Sequence, residues 1–120
     1  MFVKVVAIAG RILLAALFIV AGIAKIATPQ PFLDHMAAHH IPGLLLPAVI
    51  ALEIGAGLAV LLGWRLPIAA GVLALFCLAT SFGFHFDLAD KAERSLFAKD
   101  LAIAGALMMI AATARRQAAN

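Results

Sequence analysis

Two charged side chains, Arg11 and Glu53, interrupt long apolar runs of this 120-residue chain. A charge at the centre of a bilayer costs about 3 kcal/mol or more, so such residues usually face the interior of a bundle and mark candidate functional sites. A buried carboxyl group can relay a proton, and a buried cation can polarise a carbonyl group. We therefore predict Glu53 and Arg11 as the catalytic residues of any reaction that occurs here.

Composition indicates a membrane protein of a single domain, residues 1–120. Apolar residues make up 66% of the chain and charged residues 12%, against about 25% charged in soluble domains. The net charge of +3 comes from dispersed basic residues. Without a basic cluster or an aromatic platform, the sequence argues against nucleic-acid binding. The lone Cys77 excludes an internal disulfide and a dithiol redox pair.

Four apolar runs are each long enough to cross a bilayer, which takes about 20 residues in a helix. The runs cover residues 5–26, 44–63, 67–84 and 96–114. In lipid each segment must satisfy its own backbone hydrogen bonds, so each run predicts a helix. The fold class is therefore predicted as an all-α integral membrane protein, an antiparallel bundle of four transmembrane helices.

The loops add two expectations. Phe32 and Met36 predict a short interfacial helix between the first two spans. The second expectation concerns orientation. Basic residues accumulate on the cytoplasmic side of membrane proteins. Both termini and the short loop at Arg65 are predicted to be cytoplasmic, on the basis of Lys4, Arg65, Arg115 and Arg116.

The buried charges predict two ion pairs between helices. Arg11 and Lys25 share a stripe of the first span and lie about 21 Å apart along it. We expect Arg11 to pair with Glu53 near mid-bilayer, and Lys25 to pair with Asp100 toward the outer side. Alternatives stay open: Arg11 and Lys25 can extend to the membrane surfaces, and any such pair can be purely structural.

Other polar residues favour ordinary structural roles. His35 and His39 have the spacing of a metal-binding helix, but a hydrated loop is the favoured interpretation because no third ligand has a fixed spacing. Cys77 and Ser81 share a helical face, which favours packing between helices over nucleophilic chemistry. No metal site is predicted.

The order of polar residues along the four spans resembles that of a known family. The set consists of Arg11, Gly22-Ile-Ala-Lys25, Glu53, Gly63-Trp-Arg65, Phe84-His85-Phe86 and Lys99-Asp100. With this set the chain is similar, over nearly its whole length, to the DoxX family of small four-helix proteins of the bacterial inner membrane.

The resemblance implies a multi-pass protein of the inner membrane that is associated with oxidoreductase systems. Members include a subunit named in thiosulfate:quinone oxidoreductase, so quinone is the cofactor that the resemblance suggests. Carried over by position, the family's polar set makes Lys25, His85, Lys99 and Asp100 ligand-binding candidates beside Arg11 and Glu53. The sequence has no flavin, haem or nucleotide motif, so a catalytic role is left open.

Three functions are compatible with these features. The first is a redox-linked membrane subunit that binds a quinone or a thiol- or thiosulfate-related substrate and works with a redox partner. The second is a scaffold whose ion pairs fix the helices while it anchors a partner enzyme. The third is transport of protons or small solutes, which would favour a homo-oligomer because four helices leave little room for a pathway.

Overall fold

The computed structural model describes residues 1–84 and 89–119, and almost all of them are helical. The α-helices of this part are α1 (Phe2–Ala27), α2 (Pro29–Ala38), α3 (Leu46–Leu62), α4 (Leu66–Phe84) and α5 (Lys91–Ala119). A single 3₁₀ turn, Gly43–Leu45, precedes α3. Four segments of the described residues are long and apolar enough to cross a membrane, and they cover all or most of α1, α3, α4 and α5.

Proline and glycine set the helix boundaries. Pro29 lies in the first turn of α2 and Pro47 in that of α3, where the missing amide donor costs nothing. Gly63 caps the end of α3, and its positive φ of 74° suits a residue without a side chain. The Trp64 amide then donates to the Ala59 carbonyl oxygen at 2.9 Å. Arg65 also has a positive φ, which tightens the turn into α4.

Helices α1 and α3 pack antiparallel, with glycine at their points of closest approach. A Cβ atom at Gly22 would lie 2.5 Å from Ile54 Cγ1, and one at Gly57 would lie 3.0 Å from Ile19 Cγ1. Small residues allow the backbones of membrane helices to approach closely in this way. The contacts fix the register, because Gly22 is level with Glu53 and Ile54.

Helix α4 packs along α5 and connects it to the α1–α3 pair. Leu73 of α4, Leu107 of α5 and Val60 of α3 are fully buried and form the centre of the core. Outside this thin core, large apolar side chains cover the surface, as with Leu13 at 74% exposure. Such a surface suits hydrocarbon and not water.

The bundle has two different ends. The basic end, as we name it, contains the start of α1, the α3–α4 turn and the end of α5. The opposite end, the cavity end, contains α2, the end of α1 and the start of α3. The four predicted spans and the all-α membrane fold are confirmed, and α2 confirms the short helix expected around Phe32 and Met36. The orientation of the termini stays a prediction.

Candidate functional site

A single ion pair joins α1 to α3 at the cavity end. Lys25 Nζ lies 2.9 Å from Glu53 Oε1 and donates a second hydrogen bond to Oε2 at 3.1 Å. The Glu53 side chain is 3% exposed and that of Lys25 is 15% exposed. The carboxylate is thus neutralised inside the bundle, whereas the ammonium keeps access to a neighbouring space.

The predicted Arg11–Glu53 pair is wrong, and the helix register gives the reason. The prediction placed Glu53 near the middle of its span and Arg11 about one helical turn from that depth. Gly22, however, packs on Glu53, and Arg11 lies eleven residues before Gly22, a separation of about 16 Å along α1. Lys25 is less than one turn from Gly22 and therefore reaches the carboxylate.

The predicted Lys25–Asp100 pair is wrong for a related reason. Helix α1 packs against α3, whereas α5 packs against α4. Lys25 therefore pairs with Glu53, and Asp100 lines the same cavity from α5. The two acids face the same space from different helices.

The cavity has a volume of about 320 Å³ and draws its walls from all five helices. Its apolar walls include Phe18, Val49, Phe76 and Ile103. The polar groups of the wall among the described residues are Lys25, His35, Glu53, Cys77, Thr80 and Asp100. A mainly apolar cavity with a few convergent polar groups is typical of a binding site for a small molecule.

Helix α2 covers one side of the cavity. Its Phe32, His35 and Met36 side chains line the space. The Phe32 ring lies 4.8 Å from Lys25 Nζ, close enough for a cation–π contact that stabilises the ammonium. The break at Thr28 and Pro29 turns the chain from α1 into α2, and so places this aromatic side chain beside Lys25.

The structure brings together only part of the predicted site. Glu53, Lys25 and Asp100 share the cavity, whereas Arg11 lines a separate groove at the basic end. Lys99 is exposed and does not line the cavity. His85 lies outside the described residues. The roles predicted for all six residues stay predictions.

Sequence reasoning missed the contributions of Cys77, Thr80, Phe32 and Met36 to the cavity. The Thr80 and Ser81 hydroxyls donate to the Cys77 carbonyl oxygen at 3.1 and 2.8 Å, so both are bonded to the preceding turn of their own helix. The signal for the cavity was the i, i+3 spacing of Cys77 and Thr80, which places both side chains on one face of α4.

The two histidines with the spacing of a metal-binding helix, His35 and His39, lie close together. The His35 and His39 rings are 4.6 Å apart, and His39 Nδ1 lies 2.9 Å from the His35 carbonyl oxygen. In the part of the chain that the structure describes, no three His, Cys, Asp or Glu residues are placed to hold a metal ion. His35 lines the cavity, and His39 is exposed.

Four apolar helices around an ion pair and a largely apolar cavity define a multi-pass helical membrane protein. The DoxX family model matches residues 6–86. A relative from Escherichia coli (strain K12), named inner membrane protein YqjF, is 41% identical over 103 residues, which cover 86% of this chain and 79% of the relative. No solved structure matches the chain. The chain therefore belongs to the DoxX family, and it is a multi-pass protein of the inner membrane, as the sequence predicted.

Proposed function

We propose that the cavity binds the head group of a membrane quinone and that the chain is the membrane subunit of a redox system. The observation that carries this proposal is the Lys25–Glu53 pair on the wall of an apolar cavity within the membrane bundle. The cavity volume of about 320 Å³ is at the lower end of the range for small-molecule sites, about 300 to 1,000 Å³. That size suits one ring and leaves a long apolar tail outside.

Lys25 has a hydrogen-bond donor to spare for such a ligand. An ammonium group carries three N–H donors, and two of them are used on the Glu53 oxygens. The third can bind a carbonyl oxygen in the cavity. The apolar walls strengthen this bond because the local dielectric constant is low.

Glu53 is the candidate proton carrier of the same site. Reduction of a quinone to its quinol takes two electrons and two protons. The electrons would come from a partner protein that oxidises thiosulfate or thiols. Both protons would come from water, and Glu53 would relay them by taking up one proton at a time, passing it to a quinone oxygen and returning to the carboxylate form. Asp100 faces the same cavity from α5 and offers a second acidic group. Arg11 and Lys99 have no part in this proposal, because neither lines the cavity.

Quinone binding tests the proposal directly. The purified chain in lipid nanodiscs is titrated with decylubiquinone, and binding is measured calorimetrically. Lys25→Gln removes the charged donor and is expected to weaken binding at least about tenfold. Lys99→Gln is the matched control, since it removes the same charge at the same end of the bundle but outside the cavity. Absence of binding by the unmodified chain, or an equal loss in both variants, would contradict the proposal.

The scaffold function is the second candidate, favoured by the completeness of the ion pair. Both carboxylate oxygens of Glu53 are already bonded by Lys25, so in this second candidate the pair is purely structural and holds α1 against α3. In the double variant Lys25→Met with Glu53→Leu, a scaffold should still co-purify with the same membrane partners. A quinone site should lose its ligand in the same sample.

A further inference from the structure

Arg11 lies in a groove at the basic end and has no counter-charge among the residues that the structure describes. Within the described residues it makes no hydrogen bond or ion pair, and its Nε atom is buried. The guanidinium lies against the α3–α4 turn, where a Cβ atom at Gly63 would meet Arg11 Nη1 at 2.6 Å. Because arginine stays protonated in proteins, this positive charge calls for an anion from outside the chain.

The groove beside Arg11 combines this cation with apolar walls. It has a volume of about 200 Å³ and is lined by Leu66 at the start of α4 and by the last turns of α5, including Met109, Ile110 and Thr113. Met109 is largely exposed to the surroundings of the bundle. A ligand that fits has an anionic group for Arg11 and apolar chains for the rest of the groove.

The level of the groove along the bundle is that of a membrane interface. The guanidinium lies beside the turn that holds Trp64 and Arg65, and the Trp64 side chain is 64% exposed. Arg65 stacks over the Trp64 ring at 5.1 Å. Exposed tryptophan beside a basic residue is typical of the head-group region. Lipid phosphates are therefore at the depth of Arg11.

The charge distribution of the chain supports an external anion. The basic end holds Lys4, Arg11, Arg65, Arg115 and Arg116. No aspartate or glutamate precedes residue 34, follows residue 100 or lies within residues 54–86. The segments that form the basic end therefore contain no acidic side chain. Basic pockets between membrane helices bind the head groups of anionic lipids.

We propose that the groove formed by Arg11, Leu66 and the last turns of α5 is a binding site for the phosphate of an anionic phospholipid. Arg11 binds the phosphate oxygens, for which the two-pronged guanidinium is well shaped. Leu66, Met109 and Ile110 contact an acyl chain. The site lies about 21 Å along α1 from Lys25, and it does not depend on the function of the cavity.

Native mass spectrometry of the full chain tests the site. The protein is delipidated in mild detergent and titrated with phosphatidylglycerol or phosphatidylcholine. Arg11→Gln is expected to weaken phosphatidylglycerol binding at least about tenfold, and Arg11→Lys to restore part of it. Arg115→Gln is the control, since it removes an exposed charge at the same end and should leave most of the affinity.

Two further measurements keep the outcome decisive. Inorganic phosphate at millimolar concentration should not displace the lipid, because the acyl chain contributes to binding; displacement would overturn the assignment to a lipid.

If Arg11→Gln fails to fold, thermal unfolding of the unmodified chain decides instead. A larger rise in Tm with phosphatidylglycerol than with phosphatidylcholine supports the site, and equal rises overturn it. Equal binding by Arg11→Gln and the unmodified chain also overturns it.

Discussion

Helix α1 carries two partly buried cations, Arg11 and Lys25, which are held in different ways. At the cavity end, Lys25 contacts both oxygens of Glu53. At the basic end, Arg11 has no partner among the described residues and lies beside a groove that opens at the level of the α3–α4 turn. The comparison shows that position along the helix determines where each cation finds its counter-charge. A cation inside the bundle needs a carboxylate from a neighbouring helix, whereas one at the interface can use the membrane itself.

The largest expected effect comes from breaking the internal pair on one side only. Lys25→Met leaves the buried Glu53 carboxyl group without its partner, which we expect to lower the free energy of unfolding by about 3 kcal/mol or more. Arg11→Met should cost far less, because no carboxylate loses its counter-ion. Unfolding of each variant in detergent, followed by circular dichroism, measures the difference.

The double variant sharpens this result. Lys25→Met with Glu53→Leu replaces the pair by apolar groups and is expected to recover most of the loss, since isosteric apolar replacement of a buried pair is often close to neutral. A double variant as unstable as Lys25→Met would show that packing of the lysine side chain, and not its charge, supports the bundle.

Close packing of α1 on α3 should give the next largest effect. Gly22→Ala places a Cβ atom 2.5 Å from Ile54 Cγ1, and overpacking of this kind costs about 1 to 3 kcal/mol. It should also move Lys25 away from Glu53, because Gly22 sets the local distance between the two helices. The loss of stability and the loss of quinone binding are both measurable in the same preparation.

Gly10→Ala is the matched control on the same helix. No atom lies within 4 Å of a Cβ at Gly10, and alanine is favoured over glycine inside a helix by up to about 1 kcal/mol. We expect this variant to be as stable as the unmodified chain or more stable. If Gly10→Ala destabilises the chain as much as Gly22→Ala does, the cause is not the contact with Ile54.

Composition was sufficient to predict the four spans, whereas the ion pairs depended on information that composition does not carry. Apolar length determines where a chain can cross a membrane, but relative depth depends on how the helices slide along one another. The middle of α3, at Ile54, is level with Gly22, which lies in the second half of α1, so the middles of the two helices are not level. The glycine contacts at Gly22 and Gly57 set the offset that brings Lys25 to Glu53.

The cavity was only partly predictable for a similar reason. Lys25, Glu53 and Asp100 were found because a charge in an apolar run is conspicuous. Phe32 and Cys77 are common residues in apolar surroundings, and nothing in their own segments indicates that they face the same space. Their convergence arises from the return of α2 over the bundle and from the rotation of α4, which are tertiary features.

The smallest expected effect tests the turn that supports Arg11. Gly63→Ala forces a side chain into a backbone conformation with a φ of 74°, which costs about 1 kcal/mol. The new Cβ would also meet Arg11 Nη1 at 2.6 Å, but a flexible guanidinium can move aside at little cost. The loss should therefore be nearly the same when Gly63→Ala is made in an Arg11→Gln background, because the strain lies in the backbone. A loss that disappears in that background would locate the strain in the arginine contact instead, and it would mean that the turn holds the guanidinium rigidly and does not leave it free to meet an external anion.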